Sequence, residues 1–175
     1  LSLFYIAGGR FKQIAVTALI GAVLLVAVVL VHPYLKERIV VFLNPTYDPQ
    51  GASYHIRQIL IALGSGGLFG LGLGKSRQKY EYLPEASTDS IFAIIAEEVG
   101  FIGSLILIAL FMALILKGFK IALTAKDRFG MLLAAGITSY LAFQTIINLG
   151  ASTALLPLVG VPLPFISYGG SSLVI

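Results

Sequence analysis

The sequence contains no cysteine, and charged residues make up only 11% of its 175 residues. Without cysteine the chain can form neither disulfides nor zinc-thiolate sites, and it has no thiol nucleophile. Its two histidines, His32 and His55, are too few to build a histidine-based metal cage. Soluble domains carry about 25% charged residues. With less than half that share, much of the surface of this chain must face something other than water.

Apolar residues dominate instead, at 58% of the chain, and the mean hydropathy is +0.95. The net charge of +4 suits contact with lipid headgroups or a lipid-linked substrate. Nucleic acid would require clustered Lys and Arg with interleaved aromatic residues, so we expect membrane lipids and no nucleic acid as partners. The chain begins with Leu, shows no cleavable signal pattern and ends in a new apolar run, and we expect it to continue at both ends.

Hydropathy predicts a protein that crosses the membrane several times. A transmembrane helix needs about 20 mostly apolar residues. Segments at about 14–31, 91–116 and 129–149 qualify, and another begins near 171. Basic residues cluster at 10–12 and 117–128, so the positive-inside rule places these turns in the cytoplasm. The connections at about 32–89 and 150–170 then lie outside.

The outer loop at about 32–89 is too long for a simple connection, because loops beyond about 15 residues are usually functional or disordered. Its stretch from 59 to 74 is apolar but contains six glycines. Irregular backbone at membrane depth must be covered by protein or by water in a cavity. We therefore expect a re-entrant or interfacial segment in this loop.

Residues 70–76, GLGLGKS, differ from a nucleotide-binding phosphate loop. Phe69 occupies the place of the first glycine of that motif and no strand precedes it, so we reject nucleotide binding. Three cations follow, Lys75, Arg77 and Lys79. They snorkel to the membrane interface, or they bind a lipid-linked pyrophosphate together with Arg57.

Three carboxylates follow at intervals of four residues, Glu81, Glu85 and Asp89, where the loop meets the next span. Asp89 could simply lie in the first turn of a helix capped by Thr88, where its charge complements the helix dipole. Alternatively, its place at a membrane boundary beside cations and glycine-rich backbone suits a general base acting on a lipid-linked substrate.

Polar residues inside the spans are costly, so they usually face a cavity or a partner. Glu97 and Glu98 lie two turns into the second span, where they line a cavity or form structural ion pairs. In the third span Gln144 and Asn148 line a cavity or tie helices together.

A stripe at helical spacing predicts close packing of the second span: Asp89, Ala93, Ala96, Gly100 and Gly103. Prolines at 157, 162 and 164 exclude a regular helix in the segment that follows the third span, which we expect to dock against the long loop.

Four stretches together resemble the SEDS family of bacterial cell-wall proteins (FtsW, RodA and SpoVE): FLNPTYDPQGASY, IALGSGGLFGLGLGKSRQKYEYLPEASTD, IIAEEVGFIG and LLPLVGVPLPFISYGGSSL. The stretches occur in the correct order and the resemblance covers nearly the whole chain. The loop is more similar to the division type, FtsW, than to RodA. The resemblance implies an all-α, polytopic transmembrane helical bundle of ten spans. Residues 1–175 would form part of this single membrane domain, whose long extracytoplasmic loop contains re-entrant or interfacial helices.

The resemblance also implies a peptidoglycan glycosyltransferase that polymerises lipid II at the bacterial cytoplasmic membrane, at the division septum. Its implied partners are a class B penicillin-binding transpeptidase and other division proteins. The family's essential acid, in a PE-x-H-T-D stretch, is Asp89 here, although Ser87 and Ser90 replace the usual His and Phe. The predicted substrate-binding residues are Lys75, Arg77, Lys79, Arg57, Gln78 and Glu85. The predicted regulatory or structural residues are Glu81, Glu97, Glu98, Gln144, Asn148, Pro164 and Ser167.

The chemistry leaves some alternatives open. No cofactor is required by the sequence, but a divalent cation could share the neutralisation of a pyrophosphate leaving group with the basic side chains. Other candidate functions are a flippase for a lipid-linked precursor, an elongation-type polymerase, and a non-catalytic scaffold that recruits a transpeptidase.

Overall fold

A computed structural model describes residues 10–44, 53–76 and 90–167, together with residues 6 and 8. Within these ranges the chain is helical and has no strand, as predicted. The helices are α1 (Phe11–Val31), α2 (Pro33–Leu43), α3 (Tyr54–Ser65), α4 (Ile91–Thr124) and α5 (Arg128–Ser152). Of these, α1, α4 and α5 are long and apolar enough to cross a membrane. Each contains one of the segments predicted from hydropathy, whereas the start of a span near 171 lies outside the described residues.

Proline sets the boundary between α1 and α2. The residue before a proline is disfavoured in the helical region, and His32 has extended torsion angles, φ −97° and ψ 110°. Pro33 then begins α2, a position where its missing N–H costs no hydrogen bond. None of the residues of α1 is buried within the described chain, and the mean hydropathy of its most apolar window is 3.1. This helix therefore presents an apolar surface on all sides, which suits lipid or other membrane helices.

The chain divides into two compact units, residues 1–36 with 112–143 and residues 37–111 with 144–175. In the first unit, the end of α4 packs closely against α5, because a Cβ atom at Gly118 would overlap the side chain of Thr138. Asp127 begins α5 by accepting a hydrogen bond from the backbone N–H of Gly130 at 2.6 Å. Such a cap satisfies one of the free donors at a helix start.

The described residues of the second unit form two apolar clusters. In one, Ile59 and Ala62 of α3 pack against Ala93 and Ile94 of α4. In the other, Phe92 and Phe111 of α4 enclose Leu163, which is fully buried. The irregular segment after α5 therefore packs on α4 through Leu163.

The helix α4 is 34 residues long and is broken at Gly100, where φ is 73° and ψ is −171°. At 1.5 Å per residue an unbroken helix of this length would span about 51 Å, far more than the ~30 Å hydrocarbon core. Residues 101–124 alone would cover about 36 Å, which is enough to cross. The predicted regular stripe is therefore correct for Ala93 and Ala96, both buried, but wrong beyond Gly100, where the helical register is interrupted.

Candidate functional site

The helices α3 and α4 begin at the same end of the second unit and run parallel. At their starts, His55 lies beside Ser90. One to two turns further on, Ile59 and Ala62 pack against Ala93 and Ile94. At the end of α3, Ser65 reaches Glu97. These contacts show that α3 is held from its start to its end by the first part of α4.

The glycine-rich segment that follows α3 pairs with the break in α4 through four backbone hydrogen bonds. The N–H groups of Leu71 and Gly72 donate to the carbonyls of Glu97 and Glu98, each at 3.0 Å. In the opposite direction, the N–H groups of Phe101 and Ile102 donate to the carbonyls of residues 67 and 68, at 2.9 and 3.2 Å. These groups of α4 have no helical partner at a break, so the segment satisfies them.

Glycine is required where these two backbones meet. A Cβ atom at Gly66 would overlap the carbonyl of Ala96, and one at Gly70 would overlap the carbonyl of Glu98. At Gly100 a Cβ would overlap the backbone of residues 68 and 70, and its positive φ also disfavours any side chain. Two of the six glycines that made this stretch look irregular in the sequence, Gly66 and Gly70, thus allow it to dock.

Glu97 lies inside this junction and is 1% exposed. One of its carboxyl oxygens accepts a hydrogen bond from Ser76 Oγ at 2.5 Å, and the other accepts one from Ser65 Oγ at 3.3 Å. A buried carboxyl group is costly unless it is hydrogen-bonded. Glu97 therefore links the end of α3 to the start of the segment that carries the predicted catalytic residues, which agrees with a structural role.

The segment 77–89 lies outside the described residues, but both of its neighbours in the chain are anchored. Ser76, 2% exposed, is bonded to Glu97, and Ser90 is fully buried with its Oγ 2.7 Å from His55 Nε2. The carbonyl of Ser90 also accepts the N–H groups of residues 93 and 94, which makes it the first acceptor of α4. The two points from which this segment extends are therefore fixed to the α3–α4 pair.

The structure describes only part of the predicted substrate-binding set. Arg57 lies in the first turn of α3, and Lys75 lies in a turn in which its N–H donates to the carbonyl of Gly72 at 3.1 Å. Both side chains are exposed, while Glu98 is half-buried. The remaining predicted site residues lie outside the described residues: Arg77, Gln78, Lys79, Glu81, Glu85 and Asp89.

Gln144 and Asn148 hold the irregular segment after α5. The side-chain amide of Gln144 donates to the carbonyl of Pro162 at 3.0 Å, and that of Asn148 donates to the carbonyl of Val161 at 2.7 Å. Sequence alone left open whether they line a cavity or tie elements together. They tie α5 to this segment.

A tight turn follows directly at residues 163–166. Pro164 is its second residue, and Phe165 is its third, with φ 64°. This pattern fits a type II turn, which normally has glycine at the third position. Ser167 closes the turn, because its Oγ accepts the N–H of Leu163 at 2.7 Å. Pro164 and Ser167 are therefore part of the turn in which Phe165 has a positive, strained φ.

A cavity of about 210 Å³ opens beside the break in α4. Its lining is largely apolar and includes Leu63, Phe92, Phe101, Leu105 and Ile108, with Ser104 and Thr153 as polar members. Such a lining suits a short length of hydrocarbon chain better than a sugar or an ion.

Sequence reasoning missed the partners of the predicted residues. Ser65, Ser76 and His55 were not predicted, and Ser90 was noted only as a departure from the family pattern. A lone histidine at the start of an apolar helix was the available signal for His55, but nothing local identifies its partner 35 residues away. Within the described ranges, no group of three or more His, Asp or Glu side chains could hold a metal ion.

Comparison with known proteins places these features in a family. The model of the cell cycle protein family FtsW/RodA/SpoVE matches residues 1–175. Stage V sporulation protein E of Bacillus subtilis (strain 168) is 50% identical over 171 residues, which cover 98% of this chain and 47% of that protein. A probable peptidoglycan glycosyltransferase FtsW of Aliivibrio salmonicida is 45% identical over 178 residues, covering 100% of this chain and 44% of that protein.

One solved structure has the same fold as this chain. It is described as showing structural coordination of polymerization and crosslinking by a peptidoglycan synthase complex. Its TM-score is 0.71 at 28% identity, over 99% of this chain and 48% of that chain. The chain thus spans about half the length of the curated relatives it matches. With a family match along its whole length and three helices able to cross a membrane, the chain belongs to the FtsW/RodA/SpoVE family of multi-pass membrane proteins.

Proposed function

We propose that the protein carrying this chain is a peptidoglycan glycosyltransferase that polymerises lipid II at the outer face of the bacterial cytoplasmic membrane, at the division septum. Relatives named as probable peptidoglycan glycosyltransferase FtsW support this activity, as does the similarity to a peptidoglycan synthase complex. The same names favour the division type over the elongation type.

Asp89 is the general base in this proposal. Its carboxylate takes the proton from the 4-hydroxyl of the GlcNAc of an acceptor lipid II, and that oxygen attacks the anomeric carbon of the MurNAc at the end of the growing chain. The bond from this carbon to the pyrophosphate oxygen breaks, and its electron pair leaves with undecaprenyl pyrophosphate. The new β-1,4 bond forms with inversion. The family resemblance carries the assignment, and the buried, hydrogen-bonded position of Ser90, the next residue in the chain, is compatible with it.

A single carboxylate suffices because a pyrophosphate leaving group requires neutralisation of its charge more than protonation. Cationic side chains that stabilise developing negative charge are among the largest contributions to catalysis. We assign this role to Lys75, Arg77, Lys79 and Arg57, with Gln78 and Glu85 contributing to substrate binding. A divalent cation is the alternative source of positive charge, and addition of a chelator to the assay distinguishes the two.

A flippase is less well supported by the described residues. That function would require polar side chains available along a path through the membrane domain. Glu97 is instead bonded to Ser65 and Ser76, and the amide nitrogens of Gln144 and Asn148 are bonded to backbone carbonyls. These contacts are those of residues that hold elements together.

The test is polymerisation of lipid II by the purified full-length protein, with and without its cognate class B penicillin-binding transpeptidase. We expect glycan strands in the presence of the partner. Translocation of lipid II in proteoliposomes without glycan product would overturn the proposal in favour of a flippase. Partner binding without product under any condition would favour a scaffold.

A further inference from the structure

The side chains of His55 and Ser90 meet at the common end of α3 and α4. His55 Nε2 lies 2.7 Å from Ser90 Oγ, although the two residues are 35 positions apart in the chain. Ser90 is fully buried and His55 is half-buried. A buried hydroxyl group held by a ring nitrogen is strongly restrained, because an alternative partner in water is not available to it.

We propose that His55 is a positioning residue for catalysis, acting through Ser90 on the backbone that carries Asp89. This inference rests on the proposed function. It assigns to His55 a task separate from proton transfer, namely to fix the start of α4 relative to α3 at the residue that follows the general base.

The backbone of Ser90 explains why a contact to its side chain has this effect. Its carbonyl accepts the N–H groups of Ala93 and Ile94, at 3.0 and 3.4 Å, so Ser90 belongs to the first turn of α4. Its side chain is bonded to another helix. Asp89 is joined to it by one planar peptide bond, so a displacement of the Ser90 backbone nitrogen also displaces the carbonyl carbon of Asp89.

The packing below the pair makes the restraint specific to this end of the helices. One turn further on, α3 and α4 are held by the fully buried Ile59 and Ala62 against Ala93. Loss of the His55–Ser90 contact therefore leaves the two helices packed and frees only their first residues. Displacement of a catalytic group by about 1 Å can reduce a rate by about 100-fold. A substitution of His55 should accordingly lower kcat far more than it lowers stability.

Substitutions at both residues test this assignment in the full-length protein with its transpeptidase. His55→Ala and Ser90→Ala should each lower the kcat of lipid II polymerisation by about 10-fold to 100-fold, with KM changed less than about threefold. The double variant should be no slower than the slower single variant, because both remove the same contact. His55→Gln should restore kcat to within about threefold of the parent, since its amide has similar reach and can donate or accept. His55→Asn, one carbon shorter, should not.

The thermal unfolding midpoint separates positioning from a general loss of stability, and His32→Ala serves as the matched control at the exposed second histidine. We expect only a small fall in the midpoint for His55→Ala, which leaves the buried Ser90 hydroxyl without this partner, and an unchanged rate for His32→Ala. The inference is overturned if His55→Ala keeps the parental kcat, if Gln and Asn are equivalent, or if every loss of rate follows a loss of stability. Asp89→Asn in the same assay separates the two proposals. An inactive Asp89→Asn beside a fully active His55→Ala removes only this inference. A fully active Asp89→Asn removes the assignment of Asp89 as the base, on which this inference depends, whereas absence of glycan product from the parent protein removes the proposed function itself.

Discussion

The backbone N–H of Phe101 donates to the carbonyl of Gly67 at 2.9 Å, instead of to the helical acceptor four residues earlier in α4. That earlier acceptor, the carbonyl of Glu97, is bonded to the N–H of Leu71. The break at Gly100 is therefore a junction in which the glycine-rich segment replaces the helical partners. Because unsatisfied backbone groups cost several kcal/mol in hydrocarbon, such a junction lets a helix be interrupted inside a membrane protein.

The first prediction concerns Gly100. Gly100→Ala should lower the stability of the protein, because its φ of 73° is strained for any side chain and the new methyl group would overlap the backbone of residues 68 and 70. Backbone strain alone is worth about 1–3 kcal/mol. The measurement is the unfolding midpoint of the purified full-length protein in detergent.

Gly21 provides the matched control, because it lies within α1 and a Cβ atom there would meet no other described residue within 4 Å. Gly21→Ala should leave the midpoint unchanged or raise it, since alanine is favoured over glycine inside a helix by about 0.5–1 kcal/mol. Equal midpoints for the Gly100 and Gly21 variants would show that the break is not a constrained junction.

The second prediction concerns Glu97. Glu97→Ala removes the shared acceptor of two hydrogen bonds, from Ser76 and Ser65, which together contribute about 1–3 kcal/mol at about 0.5–1.5 kcal/mol each. The free energy of unfolding should fall by this amount. Glu98→Ala is the control, because the Glu98 side chain makes no hydrogen bond within the part of the chain that the structure describes. A Glu98 variant as unstable as the Glu97 variant would contradict the role assigned to Glu97.

The third prediction concerns Asn148. Asn148→Ala leaves the carbonyl of Val161 without its donor, so the segment after α5 should open more often. A hydrogen bond worth about 0.5–1.5 kcal/mol corresponds to roughly a twofold to tenfold change in the opening equilibrium. Amide hydrogen exchange at Leu163 and Ser167, whose N–H groups are bonded within the turn, reports this opening. Ile146→Ala, at an exposed position of the same helix, should leave exchange unchanged. Unchanged protection from hydrogen exchange in the Asn148 variant would show that this hydrogen bond does not hold the segment after α5.

The fourth prediction concerns the positive charge at the loop. Lys75→Ala should reduce kcat/KM of lipid II polymerisation by about tenfold or more, because one cation that neutralises the pyrophosphate is removed. Lys120→Ala, an exposed lysine in the last turns of α4, should have no effect. Chelation of divalent cations should leave the parental rate unchanged. If chelation abolished polymerisation and Lys75→Ala left the rate unchanged, a metal ion would have the neutralising role instead of Lys75.

The sequence predicted the elements that depend on local signals. Apolar runs located α1, α4 and α5, since about 20 consecutive apolar residues are a local requirement for crossing a membrane. The predicted ends of these helices were less accurate. The helix α4 continues to Thr124, through Lys117 and Lys120, because a helix can extend beyond the apolar run that hydropathy detects and its lysines can snorkel.

The parts that the sequence could not predict depend on pairs of distant residues. Gly100 fits helical spacing with Ala93 and Ala96, so periodicity alone predicts a continuous helix. Only the approach of Gly70, 30 positions earlier, explains its conformation. Likewise, no spacing rule connects His55 to Ser90. The identity of Asp89 as the catalytic residue came from the family resemblance, because its position alone is equally suited to the first turn of a helix.

Substitution of Asp89 is the most direct test of the proposed chemistry. The measurement is lipid II polymerisation by full-length Asp89→Asn with its cognate transpeptidase, compared with the parent at equal amounts in the membrane. General base catalysis contributes about 10²–10⁴-fold, so the rate should fall by at least about 100-fold while membrane insertion is unchanged. A variant that polymerises lipid II at the parental rate would contradict the assignment of Asp89 as the base.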